Sequence, residues 1–263
     1  MLVSDRRHRS QSEMRFPNGR FLAGIVMQLL LCVATSGQAQ TSGAASEIGS
    51  LEQRYEALLE LRQIPPAQRD ARQWAALARE AHRALAASRL PEARGRHEEY
   101  ADYLSALGWT IAESRDPAMI QVLLEFVGIS GPATAALGRF GALAIPGLIQ
   151  IINDGRSRFT DKDGARSALA DMLGQGNASI SDQNRRQILE VAERELYQHL
   201  TFGNVIDVAV LALATGRPDL RAELERLAGD TQPWIRRGLS DRDQIKQCQR
   251  SIQVQLQEHD ARP

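Results

Sequence analysis

Four apolar side chains, Ile120, Leu123, Leu124 and Val127, fall at i, i+3, i+4 and i+7, and Ile145, Leu148, Ile149 and Ile152 repeat that spacing. Each set lies on one face of a helix. Ala165, Ala168, Leu169 and Met172 make a third such stripe. Gly, Pro and Asp punctuate the stretch from Asp116 to Asp182, and the pieces Gly128 to Gly131 and Gly155 to Phe159 leave room only for short turns. A short helix with one apolar stripe is unstable alone, because nucleation is costly and most of its stability comes from packing. Each stripe must therefore cover a neighbour, and turns this short make the neighbours consecutive, roughly antiparallel helices.

The rest of the chain agrees with an all-α class. Alanine and leucine dominate, aromatics make up only 5%, and no alternating apolar/polar run persists long enough to make a strand. With 43% hydrophobic residues the chain can bury a core. Ser46 or Ser50 caps an expected helix carrying Leu51, Tyr55, Leu58 and Leu59, which ends near Ile64 because Pro65-Pro66 cannot continue it. A second helix starts about Asp70 with Trp74, Leu77, Ala78, Ala81 and Leu85, and a third follows Pro91 with Tyr100, Tyr103, Leu104, Leu107 and Ile111. Residues 47–115 thus read as an N-terminal helical cap.

From Asp116, where an acidic cap precedes Pro117, the expected helices come in pairs. Gly131 to Phe140 goes with Ala142 to Asp154, Thr160 to Gly174 with Ser181 to Leu200, and Asn204 to Thr215 with Pro218 to Gly229. Thr160 and Asp163 have the spacing of a capping box with Asp in place of Glu. Residues 240–263 hold a last helix, from Asp241 to Asp260, that would cap the open end.

The run Asp163-Gly164-Ala165-Arg166-Ser167-Ala168-Leu169-Ala170-Asp171-Met172-Leu173-Gly174 resembles the first helix of a HEAT repeat. Asp230-Thr231-Gln232-Pro233-Trp234-Ile235-Arg236-Arg237-Gly238-Leu239 resembles the opening of another. Gly141 and Gly174 are 33 residues apart, Gly174 and Gly216 42, and Arg166 and Arg236 70, which suits α-solenoid repeats. The resemblance covers residues 116–239 and implies a right-handed α-solenoid of HEAT-like helix pairs. It also implies that Asp163, Arg166, Asp230 and Arg236 support stacking between repeats, a structural role.

The N-terminus reads as an export signal. Arg15 and Arg20 precede an apolar run from Phe21 to Val33, and Gly37-Gln38-Ala39 offers a small-x-Ala cleavage site between Ala39 and Gln40. Met14 is a better start than Met1 for such a segment. Residues 1–39 are then removed, 40–46 form a flexible leader, and the body is periplasmic or secreted; retention would make the segment a membrane anchor. The first 39 residues carry five basic and two acidic groups of 32 each, so the body holds 27 against 30, about −3. That balance lacks the basic footprint a nucleic-acid partner demands.

No residue set argues for catalysis, and no cofactor is expected. His82, His97, His199 and His259 fall on separate helices without metal-ligand spacing, and Asp161-Lys162-Asp163-Gly164 lacks the end ligands of a calcium loop, having Phe159 and Ala170 there. Cys248, on a stripe with Ile245, Ile252 and Leu256, reads as a buried inert thiol. The expected function is a protein-binding or scaffolding module, not an enzyme, with a protein or peptide partner taken on a concave helical surface. The alternatives are an enzyme or nucleic-acid module on the same scaffold, where Arg139, Arg156 and Arg158 would line a basic stripe, and a structural part of an envelope complex.

Overall fold

A computed structural model of the chain describes residues 50–174 and 180–261; the expected signal and its cleavage site at Ala39 and Gln40 lie outside them. Every regular element among the described residues is helical, with no strand. The chain divides into two compact units, Met1–Pro65 and Pro66–Pro263. The first contains α1 (Leu51–Arg62), started by a reciprocal cap between Ser50 and Gln53 and ended before Pro65.

The second unit contains α2 (Ala71–Ser88), α3 (His97–Ala112), α4 (Ile120–Glu125), α5 (Gly131–Phe140), α6 (Ile145–Asn153), α7 (Phe159–Gly174), α8 (Asp182–Gln198), α9 (Val205–Ala214), α10 (Pro218–Gly229), α11 (Gln232–Arg236) and α12 (Arg242–Asp260). Capping chemistry sets the starts that the sequence marks. Asp70 and Gln73 satisfy each other's backbone N–H groups before α2, and Asp241 accepts from Asp243 and Gln244 before α12. No single helix among the described residues is long and apolar enough to cross a membrane.

Within this unit α3, α5, α7, α9 and α12 lie side by side, each packed on the next. A second row, α2, α4, α6 and α8, packs on the first in the order α2 on α3, α4 on α5, α6 on α7 and α8 on α9, and α10 lies against both α9 and α12. The closest pairs are therefore offset by one helix from those the sequence suggests. The reason lies at Gly141, whose φ of 55° permits a short 3-10 turn through Leu143. The chain bends by 115° between Leu143 and Ile145, just after that turn, so α6 turns away from α5 and packs on α7 instead.

Two glycines let the start of α7 press against the turn after α4. A Cβ on Gly164 would sit 2.1 Å from the Val127 carbonyl oxygen, and one on Gly128 would sit 2.3 Å from a carboxylate oxygen of Asp161. Only hydrogen fits at either position. The core itself is aliphatic: Leu137, Ile145, Leu148, Leu169 and Met172 are fully enclosed, as are Val208 and Leu211 of α9. The apolar transfer energy of such side chains, about 1.5–3 kcal/mol each, holds the rows together.

Three local expectations change. Helix α7 begins at Phe159, so Thr160 stands inside it and Asp163 is free to pair elsewhere. The run after Asp230 yields only the five-residue α11, pinned by Trp234, which is fully buried and donates its indole N–H to the Leu227 carbonyl at 2.8 Å. Helix α12 is then more than an end cover, because Ile245, Cys248 and Ile252 bury it against α9 and α10.

Candidate functional site

Arg166 leaves α7 on its polar flank and is only 3% exposed. Its Nε and Nη2 donate to Oε2 of Glu195 on α8 at 2.9 and 2.6 Å, while Nη1 donates to Oδ1 of Asp163 at 2.7 Å. Glu195 is equally buried. A buried ion pair stands only where its hydrogen bonds are met, and this guanidinium meets two carboxylates at once. The bond ties α7 to a helix whose main packing partner is α9.

Asp207, in the first turn of α9, faces the same group. Burial pushes its carboxyl up, against the pull of Arg166. Asp163 is pushed up to about 6, first by burial and then by the charge of Asp207, with Arg166 opposing. Two carboxylates thus bond one guanidinium with Asp207 near it, and among the described residues no hydrogen bond or ion pair gives Asp207 a cation of its own.

Apolar side chains border these carboxylates. Phe159 is 50% exposed, Ile206 49% and Phe202 38%. The Phe159 ring lies so close to Gly203 that a Cβ there would meet it at 2.9 Å. Phe159 to Gly203 and Asp163 to Asp207 are both steps of 44 residues, so α7 and α9 run in the same direction and in register. The turn that presents Phe202 is braced from within: Asn204 accepts from the backbone N–H and hydroxyl of Thr201 and donates to the His199 carbonyl. An Asn locked this way fixes the turn at little entropic cost on binding.

The second HEAT-like run is arranged differently. Asp230 accepts from the Gln232 backbone N–H, Arg236 is exposed, and among the described residues no ion pair joins the two. Arg237, half-buried, instead reaches the Pro233 carbonyl and, at 3.4 Å, Glu223. Of the three arginines of the nucleic-acid alternative, two are engaged and Arg156 is exposed. Arg139 donates to the Ala112 carbonyl at 2.5 Å, Arg158 pairs with Asp161 at 2.7 Å, and Arg156 lies 3.8 Å from Asp154. An open pocket of about 320 Å³ lies between Ser114, Arg115, Arg139 and Phe140. Its Arg139 stands in the last turn of α5, where a cation complements the helix dipole.

Among the described residues no group of three or more His, Cys, Asp or Glu side chains is arranged to hold a metal ion. The carboxylates of the Asp161-Lys162-Asp163 run are engaged by Arg158 and Arg166. Cys248 is fully buried and its thiol is pushed up to about 11 by that burial, which disfavours the reactive thiolate. The sequence matches no family model, and no curated protein or solved structure matches it.

Proposed function

We propose that the chain is a right-handed α-solenoid of HEAT-like helix pairs, exported and used as a protein-binding or scaffolding module. The observation that carries this reading is the pair of alternating rows, in which the helices from α2 to α9 pack on their next-but-one neighbours. Stacking of that kind propagates along one direction and leaves an extended surface for partners. Support for a contact role comes from the exposed Phe159, Phe202 and Ile206 at the starts of α7 and α9, since apolar side chains exposed close together mark contact sites. The engagement of Arg139 by a backbone carbonyl and of Arg158 by Asp161 weighs against a nucleic-acid partner.

A photo-cross-linking residue placed at position 206, and separately at the exposed Glu190 of α8, tests the reading in the native host. Discrete adducts from 206 and none from 190 are expected; an absence of adducts from both contradicts a binding role. Mass measurement of the mature N-terminus tests export, with Gln40 as the expected first residue. Retained Met1 or Met14 would contradict cleavage.

A further inference from the structure

We infer that the surface at the start of α7 and α9 receives a cationic segment of a partner protein, with a Lys or Arg beside a bulky apolar side chain. The inference rests on the binding-module reading and names the chemistry of its partner. Phe159, Phe202 and Ile206 supply exposed apolar area, and the Asn204 brace holds it in place before anything binds. An apolar surface of this kind accepts many apolar side chains, so the charge beside it decides which segment fits.

That charge is negative. From α7 comes Asp163, from α8 Glu195 and from α9 Asp207, against Arg166 and Lys162. Of the other charged groups near the start of α7, Arg158 and Asp161 pair with each other, and Lys162, three residues from Phe159 on the same helical face, offsets one of the three carboxylates and leaves the surplus negative. The dipole of α9 accounts for an acid in its first turn, yet burial still pushes the carboxyl of Asp207 up, so its ionised form is short of stabilisation. A delivered ammonium or guanidinium relieves that shortage, and partial burial makes the resulting hydrogen bond stronger than one in open water. An anionic segment on the same apolar side chains would meet repulsion.

Three short labelled peptides serve as probes: one alternating Lys and Leu, one alternating Glu and Leu, and one alternating Lys and Ser. Fluorescence anisotropy with the whole mature chain is expected to detect binding of the Lys/Leu peptide only. Asp207→Asn should weaken it roughly tenfold, in line with the loss of one charge-assisted hydrogen bond. Ile206→Ser should weaken it as well, whereas Ile235→Ser, at an exposed apolar residue of α11, should leave it unchanged. Circular dichroism confirms that each variant is folded. Equal binding of the Glu/Leu or Lys/Ser peptide overturns the inference, and so does Lys/Leu binding that neither Asp207→Asn nor Ile206→Ser disturbs. Adducts from position 206 in cells, with no preference among the peptides, overturn the cationic class while the module reading stands. No adducts and no peptide binding overturn both.

Discussion

The two flanks of α7 are closed by opposite means. Towards the turn after α4 the contact is made by removing side chains, with Gly128 and Gly164 letting backbone meet backbone. Towards α8 and α9 it is made by adding charge, with Arg166 held between Glu195 and Asp163 and facing Asp207. The first flank offers nothing to a ligand. The second leaves carboxylates in excess beside exposed aromatic and aliphatic groups, the surface proposed above for a partner.

The largest expected effect separates the flanks directly. Arg166→Ala leaves Glu195 buried without its cation and should cost about 3–5 kcal/mol in urea unfolding. An effect below about 1 kcal/mol would place that pair in solvent and equate it with a surface salt bridge. On the other flank, Gly164→Ala forces its new methyl group towards the Val127 carbonyl and should cost about 1–3 kcal/mol. A neutral result would show that this contact is looser than a glycine seam.

Acidity acts on the charged flank. The folded chain holds the Asp163 proton up to about 6, whereas its ordinary value is 3.8. The folded form therefore binds more protons across that window, and this group's contribution to stability falls as pH rises from 3.8 through 6. Asp207 shifts in the same direction. After solvent screening the contribution is about 1 kcal/mol, a few degrees in Tm, read as the difference in pH dependence between the native chain and Asp163→Asn. A difference that grows with pH in the opposite sense would contradict the burial of Asp163.

The smallest effect carries the opposite sign. Gly138 also faces α7, but a Cβ there meets only the Asp171 Cβ, at an ordinary 3.7 Å. Gly138→Ala should therefore stabilise by about 0.5–1 kcal/mol through helix propensity. Destabilisation would mean that the glycine seam extends the whole length of α7.

Much of the scaffold is legible in local pattern. Ile145, Leu148 and Ile152 are buried as their spacing requires, and Ser50, Asp70 and Asp241 cap the helices they precede. The pairing of helices is less so, because it depends on the 115° bend between Leu143 and Ile145, and the sequence marks Gly141 just before it but not the direction of the turn. Asp163 and Arg166 do pair, yet Arg166 makes its shortest bond to Glu195, 29 residues on. One signal was available: Glu195 falls at i+7 on the stripe Ile188, Val191, Ala192, Leu196, a charge on a buried face. Asp207 and Phe159 carry no such mark. Their meeting follows from the register of α7 and α9, which is a property of the stack and not of either segment.

That register is the account's central claim, and cross-linking measures it. With the native cysteines replaced by alanine, cysteines at positions 159 and 203 should be joined rapidly by a short bis-maleimide, while a pair at 159 and 215, at the far end of α9, should not. Comparable rates for the two pairs, or faster closure of the second, would contradict parallel, in-register packing of α7 and α9 and remove the contact surface built on it.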